Sequence, residues 1–253
     1  MTTQSSKSDS PRIIVLGALS AMAEAAARVW AARGAHLLLA GRDTERLEAV
    51  AADLRVRGGV AQIFVSDLAT ADAEADLTRM AELLGGVDVV LLAYGVLGDQ
   101  KRAEADFAEA KRILDTNFVS AAGWCLAAAN LLERQNRGTL IVIGSVAGDR
   151  GRASNYVYGA SKGGLGILVQ GIAHRLARGG ARAVLIKPGF VDTPMTAAIV
   201  KRGLLWAKPE AIGRIIVASA GSSSPVSYAP GFWRWIMRVI RFMPSSLFHK
   251  TKL

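Results

Sequence analysis

One unit recurs along the chain: a short apolar run, a turn, and a longer Ala-rich or amphipathic segment. The apolar runs occupy residues 13–16, 34–40, 60–65, 87–92, 139–144 and 182–187. They are continuous rather than alternating, the pattern of strands covered on both faces. Between them lie segments long enough for helices, at 21–33, 71–84, 107–134 and onward from 163 to 177. Strands separated by helices pair in parallel through crossovers. The predicted fold is therefore α/β, a Rossmann-like doubly wound parallel sheet that binds its ligand at the carboxyl ends of the strands. A chain of 253 residues suits a single such domain. Residues 1–10, rich in Ser and Thr and without an apolar core, read as a disordered leader rather than a signal peptide. Residues 11–230 form the domain, and 231–253 a C-terminal extension.

Charge sharpens the reading of that extension. The formal net charge is +10, yet no acidic residue follows Glu210, while Arg214, Arg234, Arg238, Arg241, Lys250 and Lys252 do. The neighbours of these cations are Trp, Ile, Met and Phe, which favours an anionic lipid surface over nucleic acid. Arg234, Arg238 and Arg241 share one helix face, and Trp235, Ile236, Val239, Ile240, Phe242 and Met243 fill most of the rest. A helix over 231–243 spans about 20 Å, too short to cross a bilayer. It can lie on one, or dock on the fold or on a second copy, and these readings stay open. Hydrophobic residues reach 51% and the mean hydropathy +0.27, enough apolar character to expect burial in a homo-oligomer or contact with lipid. The lone Cys125 excludes an internal disulfide, fits a reducing, cytoplasmic compartment, and reads as a buried helix residue. No His, Cys or carboxylate cluster suggests a metal.

The candidate chemistry sits after the run at 139–144. Ser145 lies at that strand's carboxyl end, and Tyr158 and Lys162 follow four positions apart, one turn along a helix face. A phenol beside an ammonium group can exchange a proton nearer neutrality than its free pKa of about 10. That is general acid chemistry on a carbonyl. Ser145, Tyr158-x-x-x-Lys162 and the upstream Asn117 together resemble the catalytic tetrad of the short-chain dehydrogenase/reductase family, and the similarity runs from about Arg12 to about Pro230.

The resemblance implies roles residue by residue. Tyr158 would protonate a ketone oxygen as hydride arrives from NADP(H) or NAD(H), Ser145 would hold that oxygen, Lys162 would bind the cofactor ribose and tune Tyr158, and Asn117 would support a proton relay. The strand, turn and helix holding Gly17, Ser20, Ala21 and Met22 would aim N–H groups at the pyrophosphate. Asp67 and Leu68 would face adenine, Ala93 and Gly95 the cofactor from the fourth strand, and Pro188, Gly189, Val191 and Thr193 the nicotinamide. Arg42, at the second strand's end, leans toward a 2′-phosphate and thus NADP(H). Residues 195–206 would form a substrate lid, and the small residues Ala121, Ala122, Gly123 and Ala127 to Ala129 a close helix-pair dimer interface.

Two features depart from the family pattern. Ala21 and Ala23 stand where the turn usually has glycines, and residues 93–99 replace its usual Asn-Asn-Ala-Gly. That loop, the run from Gly148 to Arg152 and the aromatic, basic tail resemble the family branch that reduces the 2-keto intermediate between decaprenylphosphoryl-ribose and decaprenylphosphoryl-arabinose. This resemblance implies a lipid-linked keto-sugar substrate, a flavin-dependent oxidase partner that supplies it, and peripheral contact with the inner face of a membrane. The alternatives are a reductase of a soluble ketone and a cofactor-binding scaffold without turnover.

Overall fold

In chain order the strands are β1 (Arg12–Leu16), β2 (His36–Gly41), β3 (Val60–Val65), β4 (Val89–Leu92), β5 (Gly138–Ile143), β6 (Ala181–Pro188), β7 (Phe190–Val191), β8 (Trp206–Ala207) and β9 (Val226–Ala229). The helices are α1 (Ala21–Ala31), α2 (Thr44–Val56), α3 (Ala73–Leu84), α4 (Gln100–Ala105), α5 (Phe107–Leu114), α6 (Ala121–Gln135), α7 (Tyr156–Leu176), α8 (Pro209–Ser219), α9 (Trp233–Phe242) and α10 (Ser245–Phe248). This computed structural model describes residues 10–197 and 203–251, so the proposed leader lies almost wholly outside the described residues.

Seven strands form one parallel sheet in the order β3-β2-β1-β4-β5-β6-β9. The order reverses between β1 and β4, which opens a crevice at their carboxyl ends. Successive strand residues point to opposite faces. Ile13, Val15, Leu37 and Leu39 accordingly pack with α1, α2 and α8, while Ile14, Leu16, Leu38 and Ala40 pack with α3, α6 and α7. All eight are fully buried. On the first face the closest approach is set by α8, where a Cβ on Gly213 would lie 2.7 Å from the Ala25 carbonyl carbon of α1.

The expected helix over 107–134 is three pieces. Between α5 and α6 the segment Asp115–Ser120 is a π-helical turn. The extra residue rotates the chain so that Asn117 points inward, a device common at functional sites. Of the small residues on α6, Ala121, Ala127, Ala128 and Ala129 are buried within the subunit, where short side chains let the helix lie close on the sheet, while Ala122 and Gly123 stay partly exposed. The large apolar residues exposed on α5 to α7 are Phe107, Val119, Leu126, Tyr156 and Ile167.

The C-terminal segment docks on the fold. Trp233, Met237 and Ile240 are buried, packing with Val146, Phe190 and Tyr228. Arg150 donates to the carbonyls of Ile240 and Met243 at the end of α9, and its guanidinium lies 3.8 Å from the Phe248 ring centroid. The opposite face of α9 carries Trp235, Val239 and Phe242, exposed to 62%, 65% and 79%, beside Arg234, Arg238 and Arg241.

Candidate active site

Ser145 leaves β5 in extended conformation and accepts a hydrogen bond from the Ala147 N–H at 3.1 Å, starting the short helical turn Val146–Gly148. That turn presses directly onto α7, backbone against backbone. A Cβ on Gly148 would meet the Gly163 nitrogen and the Lys162 carbonyl carbon at 2.7 Å; one on Gly159 would meet the Ala147 oxygen at 2.9 Å, and one on Gly163 the Gly148 oxygen at 3.1 Å. Three missing side chains thus let the Ser145 turn lie against α7, which brings the Ser145 hydroxyl near enough to the Tyr158 phenol to influence its ionisation. Lys162, 6% exposed, donates to the Ile143 carbonyl at 3.1 Å from one turn further along α7.

Burial holds the Tyr158 phenol above its ordinary pKa, with the Ser145 hydroxyl pulling partly back. The spacing argument expects Lys162 to lower it; in the structure desolvation prevails, so Tyr158 is a protonated donor at neutral pH. Burial also pushes Lys162 down to about 8. Its cation is therefore lost as pH climbs through that value. The rate of ketone reduction, kcat/KM, is expected to be flat below about pH 8 and to fall about tenfold per unit above it. Stability moves oppositely: between about 8 and the ordinary 10.5 the unfolded chain binds more protons, so stability rises with pH across that window. Matched pH–rate and pH–melting series check both signs; parallel trends would contradict the assignment to Lys162.

Asn117, 1% exposed, spends its amide on the β4–α4 loop. Its Oδ1 accepts from Val96 N and its Nδ2 donates to Val96 O, both at 2.7 Å, with a further donation to Ser161 Oγ at 3.2 Å. This clamp sets Gly95 against the site: a Cβ there would lie 2.8 Å from Asn117 Oδ1 and 3.4 Å from Lys162 Nζ. Cys125 is fully buried and its thiol is pushed up to about 12 by desolvation, which removes it from the chemistry.

The crevice side fits a dinucleotide. Gly17 has φ +84°, and a Cβ on it would meet Tyr94 at 2.6 Å, so the β1–α1 turn is held tight by the residue that replaces the family's polar loop. Ser20 precedes α1 without a capping side-chain bond, which leaves the first N–H groups at Ala21 and Met22 facing outward for an anion. Ala23 is fully buried in the sheet-facing core, and its methyl is accommodated among small neighbours. Ala93 is buried at the end of β4, its N–H bonded to Leu16 O. Leu68 is buried, its carbonyl accepting from Trp124 Nε1 at 2.9 Å and from Tyr94 Oη at 3.4 Å. Arg42 is exposed and lies 3.9 Å from the Asp67 carboxylate. Asp43 does not compete for a ribose, because it caps α2 by accepting from Arg46 N.

The β6–β7 segment brings a surprise at Gly189, where a Cβ would overlap the Trp233 indole at 1.9 Å. The glycine is needed for α9 to close over this edge. Pro188 ends β6, Val191 is buried in the two-stranded pairing of β7 with β8, and Thr193 Oγ1 lies 3.3 Å from Thr196 Oγ1. Of the proposed lid, residues 198–202 lie outside the described residues. Sequence reasoning missed Asp149, Lys187 and Tyr228. Asp149 is buried behind the Ser145 turn, bonded to Lys187 Nζ and to Tyr228 Oη, the latter at 2.7 Å. This network ties that turn to β6 and β9.

Comparison with known proteins agrees with this geometry. The family model described as short chain dehydrogenase matches residues 11–203. An uncharacterized oxidoreductase of Streptomyces coelicolor is 35% identical over 94% of each chain, and one of Mycobacterium tuberculosis is 33% identical over 92% of this chain and 93% of its own. Among solved structures, a 3-oxoacyl-[acyl-carrier protein] reductase from Brucella melitensis in complex with NAD superposes with a TM-score of 0.76 at 26% identity, covering 88% of this chain and 96% of that one. Levodione reductase shares the fold, with a TM-score of 0.79 at 24% identity over 88% and 97%. With a family model spanning most of its length and relatives above 30% identity end to end, the chain belongs to the short chain dehydrogenase family and is an NAD(P)-dependent oxidoreductase.

Proposed function

We propose that the protein reduces a ketone to a secondary alcohol, with Ser145, Tyr158, Lys162 and Asn117 as its working residues. The observation that carries this reading is the close packing of the Ser145 turn on the α7 segment that holds Tyr158 and the buried Lys162. Bound NADPH supplies the hydride. The Tyr158 phenol, kept protonated by burial, donates its proton to the ketone oxygen while the Ser145 hydroxyl holds that oxygen in place. The buried Lys162 ammonium stabilises the phenolate left behind, and Asn117 clamps the adjoining loop at Val96 while a proton returns to the phenol.

The exposed Arg42 supports NADP(H) over NAD(H). Its pairing with Asp67 is long and solvated, and so offers little competition to a 2′-phosphate. Arg42→Ala is expected to raise KM for NADPH roughly tenfold or more and leave that for NADH within about twofold. Equal changes for both cofactors would remove the preference.

For the substrate, the reading we favour is the 2-keto group of a polyprenylphosphoryl pentose, delivered by a flavin-dependent oxidase, with the protein held at the inner face of a membrane. Its support is the outer face of α9, an apolar stripe of Trp235, Val239 and Phe242 beside three arginines. No helix among the described residues is long and apolar enough to cross a membrane. Removal of the tail would uncover Gly189 and Val146, so surface substitution is the cleaner test. Trp235→Ser/Val239→Ser/Phe242→Ser is expected to cut flotation with phosphatidylglycerol vesicles about tenfold or more while NADPH binding stays intact. Unchanged flotation, or turnover of simple ketones but not the lipid-linked keto sugar, would favour a soluble substrate. The exposed Phe107, Val119, Leu126 and Ile167 support a homo-oligomer through α5 to α7.

A further inference from the structure

Among the described residues, three buried side-chain polar atoms have no hydrogen-bond partner: Arg152 Nε, Asn155 Oδ1 and Trp233 Nε1. They border one corner of the molecule. Asn155 N donates to Arg152 O at 3.1 Å, Arg152 Nη2 lies 3.5 Å from the Val146 carbonyl next to Ser145, and Trp233 packs on Val146. A buried donor or acceptor left unsatisfied costs about 1–3 kcal/mol. Such atoms in a native fold mark places where something else completes the bonding.

Arg152 also lines a cleft of about 460 Å³ between this loop and the tail, together with Gly151, Tyr156, Phe248, His249 and Thr251. Among the described residues no carboxylate lines this cleft, and two carboxylates bonded to neighbouring residues are already engaged. Asp149 is bonded to Lys187 and Tyr228, and Glu104 to Lys101, Gln100 and Tyr156. Burial lowers the Arg152 pKa, and Asp149 is the charge that opposes this. A half-buried guanidinium that lines this cleft, with one nitrogen 3.5 Å from the carbonyl of the residue after Ser145, is suited to an anion.

We propose that Arg152 is a specificity-determining residue that takes a phosphoryl or carboxylate group carried by the substrate in this cleft. This rests on the reading of Ser145 and Tyr158 as the ketone-binding pair. The preferred ketone is thus anionic rather than a plain hydrocarbon ketone.

The test uses binding, so that it does not depend on turnover. NADPH-saturated protein at fixed ionic strength is titrated with glycerol phosphate and, as the neutral control, glycerol, with tryptophan fluorescence and melting temperature as readouts. Saturable binding of glycerol phosphate, absent for glycerol, is expected to weaken about tenfold or more in Arg152→Gln. Arg152→Lys, which keeps the charge without the fork, falls between. Arg33→Gln, a change at an exposed residue after α1, leaves it unaltered, and NADPH affinity is unchanged throughout. Absence of saturable binding, equal binding by wild type and Arg152→Gln, or an equal loss in Arg33→Gln overturns the proposal. Response to phosphatidylglycerol vesicles without response to glycerol phosphate also overturns it, by moving the ligand from substrate to bilayer. Phosphate binding that survives in Tyr158→Phe separates this subsite from the catalytic reading, since either can fail without the other.

Discussion

Tyr158→Phe is expected to lower kcat/KM for ketone reduction by roughly a thousandfold while the dissociation constant for NADPH stays within about twofold. The substitution removes one hydroxyl and leaves the ring that packs at the start of α7. What disappears is the proton donor, together with the influence Ser145 exerts on it. Because burial keeps that phenol above its ordinary pKa, it carries its proton at neutral pH and is the donor lost in the variant. Lys162 remains in place, donating to Ile143 O, so cofactor binding is spared. Stopped-flow measurement of NADPH oxidation under single-turnover conditions checks this. A rate within tenfold of wild type would mean that another group delivers the proton.

The second large effect falls on a residue with no functional group. Gly148→Ala is expected to destabilise the protein by about 1–3 kcal/mol, because the added carbon meets rigid backbone of α7 on three atoms. In a chain of this length that corresponds to a fall in Tm of roughly 2–12 °C. Activity should suffer more than stability. The turn can relieve the overlap only by lifting off α7, which carries Ser145 away from Tyr158 and strains the bonds of Asp149 behind it. A loss of kcat of about a hundredfold is expected at temperatures where the variant is fully folded. Gly171→Ala, in the same helix with nothing within 4 Å of the new carbon, serves as the control and should be neutral in activity. Equal behaviour of the two variants would contradict the claim that close backbone packing sets the site.

Much of the architecture was legible because it rests on local pattern. Continuous apolar runs between helical segments require a covered parallel sheet, and the reversal of strand order follows from the crossovers. The pair Tyr158 and Lys162 was visible because four residues make one helical turn. The π-helical turn at Asp115–Ser120 was not, since one inserted residue leaves hydrophobic periodicity almost unchanged. Nor was the direction of the Tyr158 pKa, which depends on how deeply α7 is covered rather than on its nearest cation. The role of Gly148, Gly159 and Gly163 needed the facing backbone, although three glycines so spaced around one motif were a signal. The Asp149–Lys187–Tyr228 network joins residues 38 and 79 positions apart, and no local rule connects them. Nor was the second demand on Gly189 legible, where the Trp233 indole fills the space a side chain would take.

The most direct test of the central claim is a crystal structure of the NADPH complex with a bound ketone or its alcohol product. The account predicts the nicotinamide at the carboxyl ends of β1 and β4, with Ser145 Oγ and Tyr158 Oη both about 3 Å from one substrate oxygen. A substrate oxygen in contact with neither hydroxyl, with the cofactor fully bound, would contradict it.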